Sequence, residues 1–198
     1  KFDEDIHQTK MIFNLLEKCN FKNNTNTEIE ISLPNKKIKN LQNKKIIVLH
    51  IPDKWINIFY NEDNFIKLLE LIPKEKYNCA LTSDYTTTKK FIKIFSKYKI
   101  INNHDFNKLK IIEDNVLIFD RLNFKNWLSI LYSADIVITP ECGCSHLSAA
   151  AKVPVNIIYD PQNLPDAINK EYAPWNSIYK KFVFNDNNLN QNLVNTLN

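Results

Sequence analysis

The segment from residue 141 to residue 146 has the composition of an anion-binding turn. Glu141, Cys142, Gly143, Ser145 and His146 follow an apolar run and precede a stretch rich in alanine. Where a strand turns into a helix, free backbone amides and the positive end of the helix dipole lie close together. These groups attract phosphate oxygens. We therefore predict a site for a phosphate or diphosphate group at this turn.

The scarcity of glycine makes Gly143 informative. At an average frequency of about 7%, a chain of this length has about 14 glycines, and this sequence has one. Glycine is needed where a tight turn or the close approach of a ligand leaves no room for a side chain. The strand-to-helix position favours a ligand. In the alternative interpretation, Gly143 only eases the turn, Ser145 caps the helix and His146 is a packing residue.

Five apolar runs rich in β-branched residues alternate with stretches of helical period, which is the pattern of a parallel sheet built from βαβ units. The predicted strands are residues 46–51, 78–82, 116–119, 136–139 and 155–159. The predicted helices are residues 62–71, 86–98, 124–132 and 145–151. The fold class is therefore α/β, a Rossmann-like parallel sheet flanked by helices. Its fourth strand ends beside Gly143, at the edge where such sheets bind ligands.

The two ends of the chain carry weaker patterns. Residues 3–19 have the spacing of a helix with Ile6, Phe13 and Leu16 facing inward, and residues 28–33 form an extended segment. We expect residues 1–40 to be a linker helix and an extended arm packed on one Rossmann-like domain at residues 41–198. Residues 185–197 have the composition of a short polar helix.

Charge and cysteine spacing exclude several classes of protein. The 26 basic and 22 acidic residues give a net charge of +4, with scattered lysines and Arg121 as the only arginine. Nucleic-acid-binding proteins concentrate arginine and lysine on one face, so we expect no nucleic-acid partner and at most peripheral membrane contact. None of the four cysteines forms a C-x-x-C pair. The sequence therefore predicts neither a zinc site nor a redox dithiol of that type.

The location of the protein follows from similar arguments. The sequence contains no apolar run near the roughly 18 residues that a membrane helix needs and no pattern of a signal peptide. Together with the unpaired thiols, the absence of these two patterns favours a cytoplasmic protein. We expect it to contact at most the inner face of the membrane. The chain begins at Lys1 and has its one methionine at Met11, so we expect it to be part of a longer product.

Residues 133–160, SADIVITPECGCSHLSAAAKVPVNIIYD, resemble the C-terminal half of glycosyltransferase family 9, the ADP-heptose heptosyltransferases of lipopolysaccharide synthesis. The family pattern there is a strand, D-[TS]-G-x-x-H-L-x-A-A-A, a loop, a proline and another strand. Gly143, His146 and the alanines match it, whereas Glu141 and Cys142 replace the family's Asp and Thr. Residues 48–65 resemble the family's first strand, phosphate loop and helix. Residues 172–175 (YAPW) and 7–16 resemble its closing aromatic segment and its linker helix.

The resemblance implies the donor-binding half of a GT-B glycosyltransferase that needs no cofactor and no metal. Such a domain binds a nucleotide-diphosphate sugar, an ADP-sugar in the family, for transfer to a glycan or glycolipid acceptor. The catalytic base is expected in a separate N-terminal acceptor domain. The implied donor-binding residues are Glu141, Cys142, Gly143, Ser145 and His146 at the phosphates or sugar, Leu122 at the base, Asp84 at the ribose and Lys54 at the diphosphate.

Departures from the family pattern keep other functions open. The family's phosphate loop carries a lysine where this chain has Ile58. Together with the two substitutions at the turn, this allows a non-catalytic nucleotide-binding or scaffold module. A sugar epimerase of similar architecture is a third alternative, whereas a G-x-G-x-x-G oxidoreductase is excluded by the single glycine. A Cys142 nucleophile paired with His146 is disfavoured because the two residues straddle a turn.

Overall fold

The computed structural model describes residues 6–22, 31–34, 38–40, 44–53, 55, 61–83, 89–109, 111–112, 114–184 and 188–197. The described helices are α1 (Gln8–Lys18), α2 (Glu62–Leu71), α3 (Ile92–Lys97), α4 (Asn103–Lys108), α5 (Phe124–Ser133), α6 (Gly143–Ala150), α7 (Pro165–Tyr172) and α8 (Leu189–Asn195). The described strands are β1 (Lys39–Asn40), β2 (Lys45–Ile51), β3 (Tyr77–Ser83), β4 (Lys99–Ile101), β5 (Ile111–Ile112), β6 (Val116–Asp120), β7 (Ile136–Pro140), β8 (Val155–Tyr159) and β9 (Tyr179–Val183).

Seven strands form one parallel sheet in the order β4-β6-β3-β2-β7-β8-β9. On one side of β2 lie β3, then β6, and then β4 at the edge. The chain then returns to the other side of β2, where it adds β7, β8 and β9. This is the Rossmann arrangement, and the direction of winding changes between β2 and β7. In such sheets ligands bind at the carboxyl ends of the strands beside that change. The predicted fold class is confirmed.

Both faces of the sheet are buried. Along β2, Ile47 and Leu49 belong to one apolar cluster and Ile46 and Val48 to the other, each less than 4% exposed. Helices cover both faces of a sheet of this kind, so its central strands are rich in apolar residues on both faces. That burial explains why the five predicted strands are confirmed, with bounds that differ by at most one residue at either end.

Two strands of the sheet lack such a signal and were not predicted. The sequence of β9 is Tyr-Lys-Lys-Phe-Val, and the strand pairs only with β8. Lysines are common on edge strands because they oppose edge-to-edge association. The other edge strand, β4, has three residues and also begins with a lysine. An edge strand has one neighbouring strand and buries fewer apolar side chains. Its sequence therefore lacks the apolar run that identifies a central strand.

The predicted helices are confirmed with two changes. α6 begins at Gly143, two residues earlier than predicted, with Cys142 as its N-cap residue. The continuous helix predicted over residues 86–98 is wrong in its described part, because Phe91 has φ −105° and ψ 45° and α3 begins only after it. The interruption accompanies packing of the Phe91 ring on Phe65, with ring centroids 5.1 Å apart. Residues 86–88 lie outside the described residues.

The helix α1 contacts the domain through its first turns instead of an inward apolar stripe. The prediction that Leu16 faces inward is wrong, because this side chain is 36% exposed and no residue of α1 is buried. His7 Nε2 donates to the Ala173 carbonyl at 2.8 Å, and the Phe13 ring lies 6.3 Å from that of Trp175. Residues 3–5 and 28–30 of the predicted arm lie outside the described residues.

The last helix, α8, is part of the core. It was predicted to be polar, but Leu189, Leu193 and Val194 are buried in the cluster that also contains Phe65 of α2. Most residues of α8 are polar, so its narrow apolar stripe is not evident from the sequence. No helix of the described residues is long and apolar enough to cross a membrane.

Replacement of Leu193 by alanine is expected to lower the free energy of unfolding by about 2–5 kcal/mol, because it leaves a cavity at a fully buried position. The matched control is Leu71→Ala, which removes the same atoms from a side chain that is 41% exposed. Urea unfolding followed by circular dichroism measures both. Equal, small losses in the two variants would contradict the packing of α8 against the core.

Candidate functional site

The turn after β7 is held by backbone and side-chain hydrogen bonds. The Glu141 amide donates to the Ile158 carbonyl at 3.1 Å, which joins the turn to β8. The Ser145 amide and its Oγ donate to the Cys142 carbonyl at 3.0 and 2.8 Å. The Ser145 side chain is buried. Its hydroxyl therefore supports the turn from inside.

Gly143 is exposed and is the first residue of α6. Its φ is not positive, and a Cβ built on it meets no atom within 4 Å in the described part of the chain. Neither the backbone conformation nor the packing of the turn requires a glycine. The geometry of the turn therefore gives no support to the interpretation in which Gly143 merely eases it. The other reason for a glycine, the close approach of another molecule to the backbone, is consistent with this geometry.

The chemistry of Cys142 argues against a nucleophile. Burial is the largest cause that raises its pKa, and the Glu141 carboxylate adds to it. Cys142 Sγ lies 3.3 Å from Thr139 Oγ1, inside the turn. A raised pKa keeps the thiol protonated near neutral pH, and the thiolate is the reactive form. The structure therefore gives no support to a Cys142 nucleophile.

His146 lies one turn into α6 and is half-buried. Burial lowers the pKa of its imidazole, the Glu141 carboxylate opposes that shift, and the neighbouring His7 adds to it. A lowered pKa favours the neutral ring at physiological pH, which donates one hydrogen bond and carries no charge. His146 and the arm residue His7 are thus close enough for their charges to interact.

A cavity of about 250 Å³ lies at the carboxyl ends of β2, β3 and β6. It is next to the Gly143 turn along the sheet edge, because β2 pairs with β7. Aromatic, aliphatic and polar side chains share its lining, as expected of a pocket for a small molecule. The lining residues are His50, Pro52, Thr82, Ser83, Phe119, Arg121, Leu122 and Trp127.

The polar groups of the residues that line this cavity differ in whether they have hydrogen-bond partners. His50 Nδ1 lies 2.8 Å from Thr82 Oγ1, and the His50 ring lies 5.2 Å from that of Trp127. Trp127 Nε1 and Ser83 Oγ are buried and have no hydrogen-bond partner among the described residues. A buried polar atom without a partner costs free energy. Trp127 and Ser83 line the cavity, but these two atoms are themselves buried and are not exposed to it.

A second cavity, of about 270 Å³, lies at the opposite end of β8. It is bounded by Lys152, Val153 and Pro154, which precede that strand, and by Asn176 to Ile178, which precede β9. Its size matches that of the first cavity, so size does not distinguish them. Position does, because open α/β sheets bind ligands at the carboxyl ends of their strands.

The predicted site residues fall into three groups. Glu141, Cys142, Gly143, Ser145 and His146 lie together at the turn, and Leu122 is half-buried in the cavity wall. Lys54 and Asp84 lie outside the described residues, as does Ile58. His50, Thr82, Ser83, Arg121 and Trp127 were not predicted as site residues, although four of them are polar or aromatic residues at or just after strand ends. Among the described residues, no group of three His, Cys, Asp or Glu side chains is placed to hold a metal ion.

Comparison with known proteins gives one family match and several structural matches. The profile of glycosyltransferase family 9 (heptosyltransferase) matches residues 5–194. The glycosyl transferase family 9 protein from Veillonella parvula has a TM-score of 0.62 at 14% identity, over 90% of this chain and 49% of its own. No curated protein matches the sequence significantly.

Two structures from E. coli share the fold as well. ADP-heptose lps heptosyltransferase II has a TM-score of 0.55 at 11% identity, over 79% of this chain and 46% of its own. Heptosyltransferase WaaC with ADP has a TM-score of 0.55 at 16% identity, over 84% of this chain and 45% of its own. The chain therefore spans about half the length of each of these three structures.

The pKa of His146 provides a test of the turn geometry. We expect its imidazole to titrate below the value of about 6.5 found in unstructured peptides. Glu141→Gln removes a negative charge that favours the protonated ring, so the pKa of His146 falls further. Proton NMR of the imidazole measures this shift. The exposed Glu70→Gln variant changes net charge equally and leaves the His146 pKa in place. A rise in Glu141→Gln contradicts the arrangement.

Proposed function

The chain belongs to glycosyltransferase family 9, and we propose that it forms the donor-binding half of a glycosyltransferase. In this proposal it binds a nucleotide-diphosphate sugar, from which the complete enzyme transfers the sugar to a hydroxyl of a glycan or glycolipid. One observation carries the proposal: the exposed backbone at Gly143 and the cavity beside it share the sheet edge where Rossmann-like domains bind nucleotides. The family match favours an enzyme over a scaffold module or an epimerase.

We place the diphosphate at the turn and the nucleoside in the cavity. The amides of Cys142 and Gly143 and the start of α6 supply hydrogen bonds and a partial positive charge. β7 and β6 are three strand spacings apart, or about 14 Å at about 4.8 Å each. A nucleoside diphosphate is long enough to extend along most of that edge. Leu122 then packs on the base, with Lys54 and Asp84 proposed for the diphosphate and the ribose.

The contribution of this domain to the reaction is electrostatic. An acceptor hydroxyl attacks the anomeric carbon of the donor, the bond from that carbon to the diphosphate oxygen breaks, and the hydroxyl proton passes to a base. The turn amides, the helix dipole and a neutral His146 stabilise the charge that develops on the departing diphosphate. Glu141 holds the turn or contacts the sugar. We propose that the base belongs to an N-terminal acceptor domain.

The surface of α1 supports a partner domain of that kind. Ile12 and Leu15 are each 57% exposed and Leu16 is 36% exposed, so three large apolar residues lie on one side of the helix at a spacing of three to four. Apolar patches of this kind mark interaction sites. The similar structures extend over about twice the length of this chain. We propose that the N-terminal half packs against this stripe.

The nucleotide and the pathway are proposals from family resemblance. WaaC has been solved with ADP, and the other E. coli relative is named for ADP-heptose and lipopolysaccharide. We propose an ADP-sugar donor and a role in lipopolysaccharide synthesis. Such a reaction takes place in the cytoplasm, at the inner face of the membrane where the glycolipid acceptor lies.

Calorimetric titration with ADP, GDP and UDP tests the donor site. We expect saturable binding of ADP that Gly143→Val weakens about tenfold or more, because the side chain displaces the diphosphate from the amides. Gly143→Ala, a smaller change, gives an intermediate loss. Gly143→Ala should not unfold more easily than the original chain, since no described atom opposes a Cβ there and glycine is unfavourable in helices. A loss of binding in Gly143→Ala therefore reports on the site and not on the fold.

Two results would count against this proposal. No binding of any nucleotide at millimolar concentration by the folded chain contradicts the donor site. Equal affinity of Gly143→Val and the original chain contradicts the placement of the diphosphate. Binding of GDP or UDP in preference to ADP leaves the site intact and corrects only the base.

A further inference from the structure

Arg121 has a backbone conformation that requires an explanation. It directly follows β6, is the only arginine in the sequence, and has φ 48°. Residues with a Cβ rarely adopt this left-handed region, and such strain persists where the surroundings enforce it, often at functional sites. Glycine, which adopts this conformation without cost, is not used here. Asn20, Lys152, Leu164 and Asn176 also have a positive φ, so what distinguishes Arg121 is the cavity that it lines.

The surrounding residues hold this backbone from both sides. The Arg121 amide donates to the Ser83 carbonyl of β3 at 3.1 Å. Its carbonyl accepts from Asn103 Nδ2 at 3.0 Å, and Asn103 Oδ1 accepts from the Asn123 amide at 2.7 Å. Two neighbouring segments thus fix one residue. The direction in which the side chain leaves the backbone is set before any ligand binds.

The side chain itself is also fixed. Arg121 Nε donates to Asp120 Oδ2 at 2.9 Å, and the Asp120 side chain is 9% exposed whereas that of Arg121 is 60% exposed. A guanidinium is planar, so fixing Nε fixes the plane in which its remaining N–H groups lie. The same side chain lines the cavity at the carboxyl ends of β2, β3 and β6. A preoriented donor at a cavity loses little conformational entropy on binding.

The position of Arg121 along the sheet shows which part of a ligand it meets. β6 is separated from β7 by β3 and β2, a distance of about 14 Å, which exceeds the length of one side chain. A diphosphate at the Gly143 turn is therefore out of its reach. Trp127 and Ser83 line the same cavity, so a ligand that fills it meets these two residues together with Arg121.

We propose that Arg121, held by Asp120, donates hydrogen bonds to the nucleoside end of the donor and determines which base is bound. The proposal rests on the function proposed above. It gives the guanidinium a task different from that of the family's phosphate-loop lysine, whose position is taken by Ile58. Acceptor atoms on the base edge or the ribose receive the hydrogen bonds from the Arg121 guanidinium.

Three variants separate this role from a general attraction for phosphate. Arg121→Ala removes the donor, Arg121→Lys keeps the charge without the planar fork, and Lys180→Ala removes an exposed cation elsewhere as a control. Calorimetry with ADP, GDP and UDP, and competition with inorganic pyrophosphate, is carried out on each. Arg121→Gly, which adopts φ 48° without strain, replaces Arg121→Ala should that variant fail to fold.

We expect both Arg121→Ala and Arg121→Lys to weaken binding of the preferred nucleotide about tenfold or more and to reduce its preference over the other two. Pyrophosphate affinity should stay within about twofold in every variant, and Lys180→Ala should resemble the original chain. Recovery of binding in Arg121→Lys, or equal losses for nucleotide and pyrophosphate, would show a phosphate-binding cation and overturn the proposal. Unchanged nucleotide affinity in Arg121→Ala would overturn it as well. Failure of the original chain to bind any nucleotide refutes the donor site itself.

Discussion

The parallel pairing of β2 with β7 is the constraint on which the candidate site depends. Ile47, Val48 and Leu49 align with Ile136, Val137 and Ile138, although nearly half of the chain separates the two strands in sequence. This pair lies where the sheet changes its direction of winding, so the segments that leave its carboxyl ends diverge and open a crevice. The cavity lies on the β2 side of that crevice and the Gly143 turn on the β7 side.

The two sides of the site differ in their physical character. On the β7 side the ligand would meet backbone amides, a helix start and a neutral imidazole, groups that stabilise negative charge without carrying a full positive one. On the β2 side it would meet aromatic rings and a few fixed donors, including the guanidinium held by Asp120. A nucleoside diphosphate has the same division, with an aromatic base at one end and a charged group at the other. This agreement is why we propose one ligand for both sides.

Central strands and the turn were predictable from the sequence because their signals are local. β2 and β8 are mostly apolar, and Gly143 is the one glycine in the sequence. Edge strand β9 was not predictable in this way, since its lysines and single neighbour remove the apolar pattern. Arg121 and Trp127 were missed for a different reason. Their place beside His50 follows from the order of strands in the sheet, and neither a residue's type nor its spacing reveals that order.

The central claim is that one nucleotide lies along the edge from the Gly143 turn to the cavity at β6. Titration of the isotope-labelled chain with ADP, followed by nitrogen-edited NMR, tests it most directly. The account predicts that the amides of Cys142 and Gly143 and the indole N–H of Trp127 shift together with a single dissociation constant, while Lys152 and Val153 at the opposite edge do not. Shifts confined to Lys152 and Val153, or to one side of the crevice alone, would contradict it.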